Sequence, residues 1–218
     1  MTGLTMASID VDGAIQESAE AAGFDTRSDF FRKSLAAGGG LLAAGAFGGA
    51  LMPALAGAAT PKNDVAILNF ALTLEYLEAE FYKQAGAANF GGSISALTST
   101  IYKHEAAHVA YLRKSLGRKA VKKPTFEFGK ATTDKDTFLA TAFVLENTGV
   151  QAYLGQAGKI KSPAILVAAA TILTVEARHA GAIAQLTGKA VSPAGSFDTG
   201  KSRSAILAAV KKTGFITG

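Results

Sequence analysis

Apolar residues recur every three to four positions along four long stretches after residue 60, a spacing that places them on one face of an α-helix. Short segments that contain Gly, Pro, Ser, Asn or Asp separate these stretches, and such residues begin and end helices. The pattern predicts four helices, whose start signals lie at residues 60–64, 92–93, 133–134 and 162–163 and whose terminal glycines lie at positions 86, 117, 158 and 188. A shorter fifth helix is expected over about residues 201–212, after the loop SPAGSFDTG.

The connection between the second and third helices has a different pattern. Residues 118–132 read RKAVKKPTFEFGKAT, which is not helix-like, and Pro124 prevents a continuous helix. Fifteen extended residues reach about 50 Å, whereas a helix of roughly 24 residues is about 36 Å long. The connection can therefore run the length of the bundle. The sequence predicts an all-α fold, a four-helix bundle made of two helix pairs joined by one long crossover, with a short C-terminal fifth helix.

The N-terminal segment before the helices differs in composition. A cationic stretch, TRSDFFRKS, precedes the small and apolar run LAAGGGLLAAGAFGGALMPALAGAA. This order is typical of an export signal. Residues 26–32 resemble a twin-arginine signal, with Ser28 in the place of the second arginine. We therefore expect an exported protein of the periplasm or cell envelope.

Several interpretations of this N-terminal segment stay open. The export route is a degenerate twin-arginine signal, general secretion or an uncleaved anchor, and transient membrane association through the segment is compatible with its apolar run. A buried helix rich in Gly and Ala is the alternative without an export role. We divide the chain into residues 1–58, the extension with the signal-like segment, and residues 59–218, the helical bundle domain with its C-terminal tail.

Composition and charge restrict the chemistry that the chain can perform. The chain has no Cys, which excludes disulfides, thiolate zinc sites, iron–sulfur clusters and a cysteine nucleophile. Residues 57–218 carry 19 Lys/Arg and 11 Asp/Glu, a net charge of +8. These basic residues follow no nucleic-acid recognition motif, so we expect no nucleic-acid partner. Any metal ion must be bound by His and carboxylate side chains.

The helical region contains an internal repeat. When the chain is compared with itself at an offset of 71 residues, residues of the same type fall together in both halves. Apolar core positions match, and so do the polar residues with metal-binding chemistry. The matching polar pairs are Glu75 with Glu146, Tyr82 with Tyr153, Glu105 with Glu176, and His108 with His179.

The spacing within each repeat brings these polar residues to one level. A glutamate precedes a Glu-x-x-His motif by 30 residues in both halves. Each glutamate lies near the middle of its helix, so antiparallel partners place all four glutamates in one layer. Positions i and i+3 share a helix face, so Glu105 and His108 both point inward, as do Glu176 and His179.

A buried layer of four carboxylates requires compensation. Unpaired buried charges each cost several kcal/mol, and two divalent cations would neutralise the four negative charges. One Glu from each of two helices and Glu-x-x-His from each of the other two is the ligand set of di-iron or di-manganese carboxylate bundles. Ligands rich in oxygen suit iron or manganese. We therefore predict a dinuclear site with two Fe ions, or alternatively two Mn ions.

Other polar residues lie close to the predicted ligands. Tyr82 and Tyr153 each follow a predicted ligand by two helical turns and are expected to hydrogen-bond the carboxylates from outside the ligand set. His104 has no counterpart in the second half, where Val175 occupies the equivalent position, so we interpret it as peripheral. Glu78 lies one turn after Glu75 and could face the site, although Gly149 is its counterpart in the second half.

Four segments carry a resemblance to a known family. These segments are NDVAILNFALTLEYLEAEFYKQAG, HEAAHVAYL, LENTGVQAYLG and VEARHAGAI, and they are followed by the tail GSFDTGKSRSAILAAVKK. Together they resemble the exported ferritin-like family that includes desiccation-related proteins, and the resemblance covers about residues 61–212. The resemblance implies a ferritin-like four-helix fold with a carboxylate-bridged metal pair. It also implies roles for the six residues: Glu75 and Glu146 as terminal ligands, Glu105 and Glu176 as bridges, and His108 and His179 as one ligand to each metal.

The function expected from these features is oxidation of Fe(II) by O2 or peroxide at a di-iron site, in stress protection. The enzyme class is a ferroxidase-like oxidase, if the protein is an enzyme. Two rivals stay open: manganese-dependent peroxide disproportionation with the same ligand types, and a non-catalytic stress or desiccation-related envelope protein with structural metals. Homo-oligomer formation is compatible with the sequence, and nothing in it indicates the large shell that iron storage requires.

Overall fold

The predicted helices all form in the computed structural model, which describes residues 60–218. The export-signal prediction for residues 1–58 lies outside the described residues. Within the described part no strand forms, and the all-α prediction is confirmed. The helices are α1 (Lys62–Gly86), α2 (Gly92–Leu116), α3 (Lys135–Ala157), α4 (Pro163–Thr187) and α5 (Arg203–Thr213).

The helix start signals act in two ways. Asp134 and Ser162 cap α3 and α4 as the sequence indicates, each accepting a hydrogen bond from a backbone N–H in the first turn of its helix. At α1, by contrast, the N-cap is Pro61 and Asp64 lies inside the helix. The Asp64 carboxylate accepts the backbone N–H groups of Lys161 and Ser162 at 2.9 and 2.8 Å. Asp64 therefore joins the start of α1 to the loop between α3 and α4.

The crossover runs along α1. Its beginning is fixed by Asn69, whose amide donates to the Lys119 carbonyl at 2.9 Å and whose oxygen accepts from the Val121 N–H at 2.8 Å. Further on, the ring of Phe128 lies 5.4 Å from that of Phe81. Asn69 and Phe81 are twelve residues apart, about 18 Å along a helix. The connection thus returns along the bundle, as predicted, although it includes two short 3-10 turns.

The helices form two pairs, α1 with α2 and α3 with α4, and contacts at both ends of α3 fix its direction. Near its start, Phe138 stacks on Phe81 and Phe90, with ring centroids 5.3 and 4.9 Å apart. After its end, the Lys159 carbonyl accepts a hydrogen bond from Asn63 at the start of α1. Helix α3 therefore runs antiparallel to α1, which brings the middles of all four long helices to the same level.

Helix α4 is the one described helix whose length and mean hydropathy would allow it to span a membrane. It carries Glu176 and His179 in its C-terminal half, and both side chains are buried in the bundle. An ionisable pair at this position and the packing of α4 on α3 fit the core helix of a bundle.

The C-terminal segment crosses α3 at Gly155. The Lys201 backbone N–H donates to the Gln151 carbonyl at 2.9 Å, and a Cβ added at Gly155 would lie 1.9 Å from the Lys201 carbonyl oxygen. Gly200 is equally close, since a Cβ there would lie 2.6 Å from the Gly155 nitrogen. Two glycines therefore allow two backbones to touch, and α5 follows directly after this crossing.

The Gly155→Ala substitution is expected to destabilise the protein by about 1–3 kcal/mol, because one of the two backbones must move. The matched control is Gly181→Ala on α4, where a Cβ would meet nothing within 4 Å, and where alanine should stabilise the helix by up to about 1 kcal/mol. Urea unfolding of both variants measures the difference. Equal stability of the two variants would show that the crossing is not tight.

Candidate metal centre

Four glutamates lie in one layer at the middle of the bundle, one from each long helix, and each has a relative exposure of 0%. Their burial follows from helical spacing, since each occupies a core position between apolar turns. The buried apolar residues at helical spacing on the same helices are Leu68, Leu72, Ile101, Leu112, Leu139, Ile172 and Ile183. The four glutamates are Glu75, Glu105, Glu146 and Glu176.

The first group of side chains surrounds His108. Its Nδ1 lies 3.1 Å from Glu75 Oε2, 3.2 Å from Glu176 Oε1 and 3.3 Å from Glu105 Oε2. These three glutamates come from three different helices. Each of the four residues offers one N or O atom within 4.8 Å of the others, a separation that permits a shared metal ion.

The second group surrounds His179. Its Nδ1 lies 3.0 Å from Glu105 Oε1 and 3.2 Å from Glu146 Oε2. Glu176 completes this group, and its ligand atoms also lie within 4.8 Å of one another. Glu105 and Glu176 belong to both groups, so two adjacent ions would share them. The structure thus brings together all six residues predicted as metal ligands.

Many of these atoms have no hydrogen-bond partner among the described residues. They include one oxygen of Glu105, both oxygens of Glu146 and of Glu176, and His179 Nδ1. The short contacts around His179 therefore lack hydrogen-bond geometry. Leaving a buried polar atom unpaired costs about 1–3 kcal/mol, and more for a charged group. Converging unpaired oxygen and nitrogen atoms are the donor set of a carboxylate–imidazole metal site, so these residues fit a pair of divalent cations.

Protons are held strongly by this cluster in the metal-free protein. Burial, and then the charge of Glu75, raise the pKa of Glu105 to about 7, and burial with the charge of Glu105 raises the pKa of Glu176 well above its usual range. Burial alone would lower the pKa of His179, but Glu105 and Glu146 raise it to about 10. In the same way, neighbouring carboxylates outweigh burial and raise the pKa of His108.

The fourth glutamate, Glu75, behaves differently. Burial favours its neutral form, but the positive charge of His108 and the hydrogen bonds to it outweigh burial and lower the pKa of Glu75. Both shifts favour an ion pair between Glu75 and His108.

The two tyrosines differ in their hydrogen bonds. Tyr153 OH donates to Glu75 Oε1 at 2.5 Å, so a tyrosine of the second half orients a glutamate of the first. The antiparallel contact between α1 and α3 produces this arrangement, which spacing within one helix cannot reveal. The Tyr82 hydroxyl has no hydrogen-bond partner among the described residues. Burial and the charge of Glu146 raise the pKa of Tyr82 well above its usual range.

The interpretation of His104 as peripheral misses a contact. His104 does lie outside both groups, but its Nδ1 is 2.9 Å from His179 Nε2, and the two rings stack at 5.2 Å. The outer nitrogen of a metal-binding His usually has a partner that fixes the ring and its tautomer. Because Val175 is the repeat counterpart of His104, comparison of the two halves argues against a role for His104 at the site. The contact between His104 and His179 depends on the approach of α2 to α4, which the sequence does not show.

The comparisons with known proteins agree with this architecture. A family model described as a ferritin-like domain matches residues 63–189, more than half of the chain. The matched span contains α1 to α4 and all six residues of the two groups. None of the curated proteins compared with the chain matches it.

Proposed function

The chain belongs to the ferritin-like domain family, and from this premise we propose that it is a stress-protective protein that holds two iron ions and oxidises Fe(II) with O2 or peroxide. The observation that carries the proposal is the pair of four-residue groups that share Glu105 and Glu176. Two shared carboxylates would keep two ions adjacent. Two adjacent Fe(II) ions would supply two electrons to one oxidant.

The reaction balances with either oxidant. Two Fe(II) ions lose one electron each, and hydrogen peroxide takes up two electrons and two protons to give two molecules of water. With O2, the same two electrons and two protons give hydrogen peroxide. Iron is the substrate in both cases.

The protein side chains supply charge, orientation and exclusion of water. Four carboxylates would offset the four positive charges of two divalent ions, and His108 and His179 would each contribute Nδ1, the nitrogen that faces the carboxylates, as a neutral donor. Tyr153 holds the carboxylate of Glu75 in place through its hydrogen bond. Apolar turns above and below the layer keep the site dry, which strengthens each electrostatic contact.

The proposal includes a location outside the cytoplasm. It is supported by the cationic stretch and the apolar run before residue 58, which are ordered as in an export signal. Fractionation of cells that produce the full chain tests the location. Recovery of the protein only with cytoplasmic markers would contradict export and would leave the iron chemistry untouched.

The experiment that tests the chemistry compares the wild type with the His108→Ala variant. We expect the wild type to accelerate Fe(II) oxidation and the variant to be at least about tenfold slower, since even the loss of a residue that only positions a metal ligand typically costs 10–100-fold in affinity or activity. Stopped-flow absorbance of Fe(III) formation, with O2 or peroxide in excess, measures the rate. The control is Glu127→Gln, which removes the charge of an exposed glutamate outside the site.

The outcomes separate the proposal from its rivals. Equal rates for wild type and His108→Ala would refute iron oxidation at this site. Oxygen evolution from peroxide by the manganese-loaded protein, with no turnover by the iron-loaded one, would instead establish peroxide disproportionation. If either metal raises the melting temperature and neither metal gives turnover, the ions have a structural role.

A further inference from the structure

A fifth buried carboxylate lies beside the two groups. Glu78 follows Glu75 by one turn of α1, and its relative exposure is 3%. It faces Gly149 of α3, where an added Cβ would lie 3.2 Å from Glu78 Oε1 and 3.1 Å from Glu176 Oε2. Glu78 and Glu176 therefore both approach the same point of the α3 backbone.

The backbone conformation does not explain why position 149 is a glycine. Gly149 lies inside α3 and is not among the glycines with positive φ. Glycine in a helix interior is destabilising relative to alanine. The contacts of the added Cβ give the physical reason, since any larger residue would press on two carboxylates. Gly149 thus provides space for Glu78.

The carboxylate of Glu78 has no cationic side chain as a partner. Among the described residues, neither Lys nor Arg forms an ion pair with it. Gly149, which the Glu78 carboxylate approaches, follows Glu146 by one turn of α3. Glu146 belongs only to the second group, around His179, whereas Glu176 belongs to both groups. A buried carboxylate next to other carboxylates is disfavoured unless a cation joins them.

We propose that Glu78 is an additional metal-binding carboxylate, which serves the ion held by Glu146 and His179 and uses the space that Gly149 leaves. The inference rests on the proposed two-metal site. Its consequence is that the two ions are inequivalent, because the second ion has one more carboxylate than the first. The absence of a Glu78 counterpart in the second half, where Gly149 stands, is the origin of this asymmetry.

Titration with Co(II) tests the proposal without reference to turnover. Calorimetry and the visible absorption of Co(II) follow the occupation of the two positions in wild type and Glu78→Gln. We expect the variant to bind one ion with unchanged affinity and the other about 10–100-fold more weakly. The matched control is Glu80→Gln on the same helix, since Glu80 pairs with Lys123 and Gln84 outside the site.

Gly149→Ala provides a second variant. It should weaken the same ion, and its effect should be smaller in a Glu78→Ala background, where one of the two crowded carboxylates is gone. Gly181→Ala is again the control, because it makes the same change in open space. Equal effects of Gly149→Ala in both backgrounds would overturn the role of Gly149 as space for Glu78.

The remaining outcomes are distinguishable. If Glu78→Gln binds both ions as the wild type does, the proposal is overturned and the two-metal site stands. If the wild type itself does not bind two ions, the proposed two-metal site is refuted, and the role of Glu78 is refuted with it. Thermal melting of metal-free Glu78→Gln guards against a folding artefact, since removing a charge from a crowded carboxylate cluster should not lower its melting temperature. A lower melting temperature with unchanged Co(II) binding would overturn the proposal in favour of a structural role.

Discussion

The Glu176→Ala variant is expected to lose both metal ions, whereas the Glu75→Ala variant should lose only one. The difference follows from sharing: Glu176 belongs to both groups, and Glu75 belongs to the first group alone. Without Glu176, each position keeps three residues, and the two ions have one bridging carboxylate fewer between them. Without Glu75, the second position keeps its complete set.

Elemental analysis of protein loaded with excess Mn(II) and then desalted measures the effect. The metal-to-chain ratio should fall from about two to about zero in Glu176→Ala and to about one in Glu75→Ala, as expected for bridging and terminal ligands of a dinuclear carboxylate bundle. Manganese is chosen because, as Mn(II), it is less readily oxidised in air than Fe(II) at neutral pH.

The control for this pair of variants is Glu127→Ala, an exposed glutamate on the crossover, which should keep the wild-type ratio. Far-UV circular dichroism of each metal-free variant establishes that the helices are present. If Glu176→Ala keeps one ion, as Glu75→Ala does, the two positions do not depend on a shared carboxylate. The two-ion arrangement would then be wrong even if single ions bind.

The position of the layer of buried carboxylates is largely predictable from the sequence, because helical periodicity and the repeat both indicate it. Glu105 and His108 share a face through the i, i+3 rule. The 71-residue offset places Glu176 and His179 in the equivalent positions. Burial of these residues then depends only on which face of each helix is apolar, and this can be read from the chain. The metal-binding roles themselves stay a prediction that the variants above test.

The features that the sequence does not reveal all depend on which helices touch. Tyr153 reaches Glu75 because α3 is antiparallel to α1, and His104 reaches His179 because α2 lies beside α4. The crossing of two backbones at Gly155 likewise joins segments about 45 residues apart in the chain. A glycine within a helix gives a weak signal of such an approach. Packing between helices is a tertiary property, so the periodicity along one helix does not predict which other helix it contacts.

Metal-free and metal-loaded protein are expected to respond differently to pH. The folded metal-free protein holds more protons than the unfolded chain, because the pKa of His179 is raised from 6.5 to about 10 and that of Glu105 from 4.5 to about 7. The stability from His179 is fully present below pH 6.5 and is lost as pH rises towards 10. The contribution of Glu105 falls in the same direction between pH 4.5 and 7. Stability of the metal-free protein therefore falls as pH rises.

Metal binding opposes this slope because each ion would have to displace the protons from Nδ1 of His108 and His179 and from the carboxylates. Proton competition weakens as pH rises, so apparent metal affinity increases. At a fixed free-metal concentration, stabilisation grows with affinity and reaches about 4 kcal/mol for an ion present at a thousand times its Kd. For a domain of this size each kcal/mol raises the melting temperature by about 2–4 °C. The gap between the two forms should therefore widen from pH 6 to pH 8.

Thermal melting at half-unit pH steps, with chelator or with Mn(II), measures both slopes, and buffers of different ionisation enthalpy count the protons released in calorimetry. The His179→Ala variant is the control, because it removes one of the two imidazoles that produce the metal-free slope and leaves Glu75 and His108 in place. Its metal-free melting temperature should fall less steeply between pH 7 and 9 than that of the wild type, because His108 alone still holds a proton there that the unfolded chain has lost. Parallel slopes for the metal-free and loaded wild type would mean that protons and metal ions do not compete for the same atoms. In that case the ions would have to bind elsewhere on the protein, and the convergent unpaired oxygens around His179 would need a different explanation.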